Sequence, residues 1–454
     1  MRQSCRLESI SLREVGVFDD VRIDFKPIGS EIQDATKAEI HLFTGANGCG
    51  KSTVLYALAQ IFMPLYMEGL VMRRFRHTGA EVDFQFAGQA GRYAVKPGHG
   101  ENAYGKYQTW HGDLPNGHFF GYTSDYPNRL LDYKNYSFQY NPQKIHTPLR
   151  FEFAAFTYSG QRTLQQVPLT AIQQINNSPF EDALSFDQSV RPQVLLQWIA
   201  NNRAQSALAK ADGDGQAAEI YDYALERITG FIQEVCGLHI EFRLERSPLA
   251  VSLRVNGDGI QFDGLPDGLK SIISWVADLS LRLEAIPWQN ESDDVFAQPI
   301  VLFLDEIDIH LHPKWQRRIL PAVQKLLPNA QIFASTHSPF VVGSVEDAWV
   351  YRLPEPQQGH TSGLIEGIPS AAGKSYRLIL EEVFGIDDEF DIETEKLFDT
   401  FYHERDIVLK TRTGINKLLD AARPLAARGE EASVIIDREL RQVSRLIGQE
   451  VRLA

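Results

Sequence analysis

Gly45-Ala46-Asn47-Gly48-Cys49-Gly50-Lys51-Ser52-Thr53 is the stretch on which the reading of this chain turns. The glycines let backbone N–H groups converge on an anion, Lys51 adds a point charge, and Ser52 supplies a hydroxyl suited to Mg2+. Context decides whether such a run is more than a glycine-rich turn. Residues 38–43 read as a strand, and residues 52–63 carry Val54, Leu55, Leu58, Ala59 and Phe62 at helical spacing. Strand, glycine loop and helix together aim the positive end of a helix at bound phosphates.

Further along, residues 300–306 read Ile-Val-Leu-Phe-Leu-Asp-Glu, an apolar strand ending in two acids. Asp305 is placed to hold Mg2+ through water and Glu306 to polarise an attacking water. A strand ending in surface acids is the plainer alternative, and the phosphate loop upstream reverses the odds. His337 follows an expected strand at 331–335, where a neutral imidazole could reach the terminal phosphate. A lone histidine in such a place is otherwise structural.

Around these points the chain reads as α/β. Residues 6–25 alternate around a glycine turn as two short strands, and 82–156, rich in Tyr, Phe, Gly, Asn and Pro, suggest an antiparallel β layer with long loops. Helical spacing marks 190–236, interrupted by Ala-Asp-Gly-Asp-Gly at 211–215. Strands are expected at 239–244, 250–255, 300–304, 331–335 and 348–352, with helices at 268–284 and 313–327. Residues 371–454 are charged helical text. The expected organisation is an ATPase-like lobe at 1–180 with the antiparallel layer, a helical lobe at 181–285, the first lobe continued at 286–370, and a C-terminal helical region at 371–454. No heptad run lies between the glycine loop and residue 264, which excludes a long coiled-coil arm.

Composition narrows the class. The chain has 454 residues, 43% hydrophobic and 23% charged, enough for a substantial core. A formal net charge of −14 gives no reason to expect indiscriminate binding to duplex DNA, so nucleic-acid contact must come from a local patch. Residues 72–77 (Met-Arg-Arg-Phe-Arg-His) are the densest basic cluster, balanced against a solvated loop. No apolar run is long enough for a membrane span, and the first residues lack a signal-peptide layout, so a cytoplasmic protein is expected. The 3 cysteines, Cys5, Cys49 and Cys236, form no CxxC pair and suggest neither a disulfide framework nor a zinc site.

Taken in order, residues 45–53, 265–271 (Leu-Pro-Asp-Gly-Leu-Lys-Ser), 301–313 and 335–340 resemble the Walker A, signature, Walker B with D-loop, and switch-histidine segments of ABC-type ATPases. The pattern is most similar to the RecF/SMC-like ATPases of bacterial defence and repair, and within them to the PtuA ATPases of Septu antiphage systems. The resemblance covers roughly residues 1–370 and implies an ABC-ATPase head: a mixed, largely parallel core sheet with the phosphate loop, an antiparallel β layer and a helical signature lobe.

It further implies ATP and Mg2+ as cofactors. Gly45, Asn47, Gly48, Gly50, Lys51, Ser52 and Thr53 would hold the nucleotide, and Ser52, Gln161 and Asp305 would contact Mg2+. Glu306 would be the general base and His337 the γ-phosphate sensor. Residues 308–310 would form a D-loop crossing a homodimer interface, with Asp267 and Gly268 capping the ATP of the other copy in a dimer or larger homo-oligomer. One departure stands out: Pro266 occupies the place where the signature usually offers a serine hydroxyl. Fewer donors for transition-state charge predict slow hydrolysis.

No nuclease motif is present, and 371–454 are short and strand-poor for a fused nuclease. A separate effector is therefore implied, and the resemblance to PtuA implies that it is a nuclease of HNH type, like PtuB. The alternative is a RecF-like repair ATPase that clamps DNA itself. A transport ATPase ranks below both. Among other side chains, His310 and His312 with Asp305 fit a D-loop better than a metal site. Cys49 reads as a small residue that fits rather than a reactive thiol. Trp275 and Trp315 read as core or interface anchors, and Arg13 or Phe18 as candidates to stack on adenine.

Overall fold

The structure is a computed structural model that describes residues 5–27, 37–62, 80–96, 105–110, 150–160, 168–186, 189–290, 294–355, 361–370, 373–386, 388 and 390–453. Its first strands are β1 (Leu7–Val15), β2 (Phe18–Asp24), β3 (Glu39–Thr44), β4 (Glu81–Phe86), β5 (Gln89–Lys96), β6 (Gly105–Trp110) and β7 (Ala154–Tyr158). Then come β8 (Ile240–Arg246), β9 (Leu249–Val255), β10 (Asp258–Ile260), β11 (Ile300–Leu304), β12 (Ala330–Ser335), β13 (Ala348–Arg352), β14 (Thr361–Ile365) and β15 (Ile368–Pro369). The helices are α1 (Lys51–Gln60), α2 (Pro192–Ala211), α3 (Gly215–Cys236), α4 (Asp267–Ala285), α5 (Pro313–Leu326), α6 (Pro339–Val342), α7 (Tyr376–Ile379), α8 (Ile392–Thr411), α9 (Ile415–Ala426) and α10 (Glu430–Ile447).

The core sheet has the order β15-β13-β3-β12-β11-β7 and is parallel from β13 to β7. Its strands are apolar on both faces because both faces are covered. In β11 the pleat sends Ile300, Leu302 and Leu304 into one hydrophobic cluster and Val301 and Phe303 into another. The first cluster joins the sheet to α2, α3, α4 and α5. The second joins it to α1 and to a six-stranded sheet of order β14-β2-β1-β4-β5-β6, antiparallel except where β14 meets β2. Tyr93 of β5 pins α1 beneath that sheet by donating its hydroxyl to the Ala57 carbonyl at 2.7 Å.

Two expectations are corrected here. Residues 154–156, read as the end of the antiparallel layer, belong to β7, a parallel core strand beside β11. Short apolar runs carry no mark of parallel or antiparallel pairing, so only the partner settles it. Strands β14 and β15, absent from the sequence reading, close edges of the two larger sheets.

Between β7 and β11 sit the α2–α3 hairpin and the three-stranded sheet β10-β9-β8. These helices have 20 and 22 residues. Asp222 of α3 fastens the hairpin by accepting from Arg203 (3.0 Å), Ser206 (2.7 Å) and Lys210 (2.6 Å) of α2.

The chain divides into compact units at 1–384 and 385–454. The second unit, α8 to α10, encloses its own core of Phe398, Phe401, Val408, Leu418, Leu425, Ile436, Leu440 and Val443. Among the described residues no helix is long and apolar enough to cross a membrane.

Candidate nucleotide site

Strand register brings the distant motifs together. Tyr158, Leu304, Ala334, Leu42 and Val350 lie in one row across the parallel strands. One residue beyond that row come Asp305 and Ser335, and two beyond it come Gly160, Glu306 and Thr336. At about 3.3 Å per residue, the motifs leave the same sheet edge within a few ångströms along the strand direction. The glycine loop leaves that edge from β3.

Within the loop, Gly50 at φ 98° caps α1, which has no side-chain hydrogen bond at its cap and no acid in its first turn. A Cβ at Gly50 would lie 2.5 Å from Cζ of Phe18, so both its φ and its packing demand glycine. At Gly48, φ 82°, an added Cβ meets nothing within 4 Å, which marks the open side. Ala46, Asn47 and Gly48 are exposed, Ser52 is half-buried, and Thr53 is buried against Gly16. The buried Lys51 ammonium curls back to donate to the carbonyls of Gly45 (3.0 Å) and Ala46 (2.9 Å). An uncapped helix start, an open glycine turn and an ammonium held, among the described residues, by loop carbonyls and a thiol fit a polyphosphate.

Asp305 is buried, and Ser335 Oγ donates to its Oδ1 at 2.6 Å. The Glu306 N–H donates to the same Ser335 Oγ at 2.7 Å. Glu306 itself stands at φ 50°. Gly160 packs so closely that a Cβ there would lie 2.8 Å from both Cβ and Oε2 of Glu306. The acid pair is thus gripped from β12 on one side and from the end of β7 on the other.

Asp308 ties the next turn to the histidine, accepting the His337 N–H on Oδ2 at 3.4 Å. Gln316 donates to the carbonyls of Asp308 (3.2 Å) and Leu311 (3.0 Å) and accepts from Ser338 Oγ (2.8 Å). Partial burial, and after it the Lys51 charge, push the His337 imidazole below its ordinary value, against the pull of Asp308, Glu306 and Asp305. It is neutral at physiological pH. His312 caps α5, its Nδ1 accepting from the Lys314 N–H at 3.2 Å.

At the start of α4, Pro266 is the cap residue, without a side-chain hydrogen bond. Asp267 is exposed, while Gly268 is buried so tightly that a Cβ would lie 2.5 Å from the His310 carbonyl oxygen. Gly268 is therefore required by its own chain, against the turn that follows the acids.

Gln161 and the basic stretch 72–77 lie outside the described residues. Phe18 cannot stack on adenine as it stands, because it is fully buried against the glycine loop. Arg13 is held by Glu81 and by Asp83 at 3.3 Å. Burial pushes the Cys49 thiol up, although Lys51 pulls it down, which favours the reading of a small residue that fits. Sequence reasoning missed Ser335, Gly160, Gln316 and the cap at His312. The proximity of Gly160 and Ser335 to known motifs was visible, but only register gives them partners.

A protein family described as "AAA domain, putative AbiEii toxin, Type IV TA system" matches residues 243–343. The chain is 31% identical to Septu protein PtuA of Bacillus thuringiensis over 193 residues, 36% of this chain and 46% of that one. It is 34% identical to the Retron Ec83 probable ATPase of Escherichia coli over 116 residues, 26% of this chain and 21% of that one. By these matches the chain is similar to ABC-type ATPases of the RecF/SMC-like branch. The matches span less than half the length of these relatives. Among solved structures, the chain is similar to an SMC head bound to the C-winged helix domain of ScpA. There the TM-score is 0.45 at 14% identity, over 80% of this chain and 97% of that one.

Proposed function

We propose that this chain binds ATP with Mg2+ and hydrolyses it slowly as a dimer in an antiphage defence complex, where it controls a separate nuclease of HNH type. The carrying observation is the arrival at one sheet edge of the Lys51 loop, the Asp305–Glu306 pair and His337. The Septu and retron relatives support the defence setting. Residues 1–180 with 286–370 act as the nucleotide-binding lobe in this reading, and 181–285 as the lobe carrying the signature.

Each side chain then has a task. Lys51 exchanges its loop carbonyls for phosphate oxygens, and the N–H groups opening α1 complete the cradle. Ser52 and Asp305, with Gln161, would hold Mg2+. Glu306 takes a proton from water, and the neutral His337 donates to the terminal phosphate. Bound Mg2+ neutralises phosphate charge. Asp267 and Gly268 reach the nucleotide of a second copy. With Pro266 in place of a serine, that second half has one donor fewer to stabilise developing charge.

Glu306→Gln keeps binding and loses water activation, so with Mg-ATP it should run as a stable dimer in size-exclusion chromatography with light scattering. A monomer under those conditions counts against the shared site. Wild-type turnover should lie below about 1 per second, the low end for enzymes, and motor-like rates would sink the slow-hydrolysis reading. Copurification with a small HNH protein from the same locus and a fall in phage plaques would support the defence setting. Binding of duplex DNA without such a partner would favour a repair clamp.

A further inference from the structure

We propose that Ser335, the last residue of β12, is a positioning residue of the hydrolytic centre, aligning the metal-holding acid and the general base through one hydroxyl. The proposal rests on the ATPase reading above and deepens it. Ser335 is fully buried, and its hydroxyl uses both its capacities: it donates to Asp305 Oδ1 at 2.6 Å and accepts from the Glu306 N–H at 2.7 Å. Its carbonyl accepts from the Ile307 N–H at 3.1 Å, so one residue engages three successive positions at the end of β11.

Register explains why this residue does so. Ala334 pairs with Leu304, which sets Ser335 beside Asp305 where the two parallel strands end. The β11 chain turns there, with Glu306 at φ 50°, a region that a side chain of its size rarely adopts. Such a conformation persists where the surroundings overdetermine it, and the hydroxyl is the hydrogen-bond acceptor that holds that residue's N–H. Donation to Oδ1 fixes the carboxylate plane of Asp305 in the same stroke. An alanine fills the space and supplies neither bond.

Wild type, Ser335→Ala, Ser335→Thr and Glu306→Gln are compared for phosphate release, for Mg2+-dependent binding of a fluorescent ATP analogue, and for melting temperature. Ser335→Ala should lower kcat by about 10- to 100-fold, the scale of a lost hydrogen bond to a charged group, with KM for ATP within about threefold. It should also raise, several-fold, the Mg2+ concentration giving half-maximal analogue binding. Ser335→Thr keeps the hydroxyl and should recover most of the rate. Should the threonine variant not fold, the kcat–KM split and the Mg2+ midpoint of the alanine variant decide alone.

Wild-type kcat and Mg2+ midpoint in Ser335→Ala overturn the proposal. So does a loss of rate that merely follows a lowered melting temperature, with threonine no better than alanine. A wild type that hydrolyses ATP beside an unimpaired alanine variant overturns the proposal alone. A wild type that neither binds nor hydrolyses ATP overturns the reading beneath it as well.

Discussion

Glu306 shows how much of this site is decided residue by residue. Its left-handed φ turns the chain away from β11, and the absence of a side chain at Gly160 leaves room for its carboxylate. Gly160→Ala would set a methyl carbon 2.8 Å from Cβ and Oε2 of Glu306. We expect phosphate release to fall by at least about tenfold while analogue binding holds, because a displaced base loses alignment rather than affinity. Unchanged turnover would show that this packing has no role. His337 gives a second residue-scale prediction. Its imidazole is held below the ordinary value of 6.5, so it stays neutral to lower pH than a free histidine. Any acid limb that belongs to His337 should therefore lie below pH 6.5 and be lost in His337→Gln, leaving the limb set by the Glu306 carboxylate.

At the scale of an element, α4 joins two different demands. Its first turn presses Gly268 against the His310 carbonyl, and its middle carries the fully buried pair Asp278–Arg282. Arg282 donates to Asp278 at 2.6 Å and to the carbonyls of Pro179 (2.7 Å), Glu181 (2.8 Å) and Ser189 (2.5 Å). Asp278 also accepts from the Tyr158 hydroxyl at 3.0 Å, which ties α4 to β7 just before Gly160. Burying two charges is costly, and removing one leaves the other stranded. Arg282→Met should destabilise the fold by about 3–5 kcal/mol in denaturant titration, and adding Asp278→Leu should recover part of the loss. Equal loss in the single and double variants would show that the pair is not coupled.

At the scale of the molecule, one polar network joins the two larger sheets at the edge opposite the glycine loop. Arg6 beside β1 pairs with Glu39 of β3 at 2.5 Å, His41 bonds Glu39 at 2.7 Å, and Gln331 of β12 donates to the Leu7 carbonyl at 2.9 Å. Burial alone would raise Glu39, but the hydrogen bonds from His41 and Arg6 and the Arg6 charge bring it down to about 2. Burial lowers His41 in spite of Glu39. Both folded values lie below the unfolded ones, so the stability they confer is present at high pH and lost on acidification. The His41 share fades below pH 6.5 and the Glu39 share between about 4.5 and about 2. Denaturation midpoints should fall from about pH 7 down to about pH 2, and Glu39→Gln should flatten the part of that decline below about pH 4.5. A pH-independent midpoint would remove the network from the stability of the fold.

The sequence by itself determined the kind of site: Gly48, Gly50 and Lys51 after a strand, two acids ending residues 300–306, and a histidine after residue 335. Those signals are local, since a glycine turn, an apolar run and a helix period are each written in consecutive residues. The helical hairpin of α2 and α3 was legible for the same reason. Which strands neighbour each other was not, because parallel pairing joins residues far apart in the chain, as Ile300 with Ala330 and Ala348 with Ile40, and leaves no local trace. Only the tertiary structure placed Ser335 beside Asp305, Gly160 against Glu306 and Gly268 on His310, and only it turned Phe18 inward. The chemistry was carried by residue types; the alignment of that chemistry was carried by register and close packing.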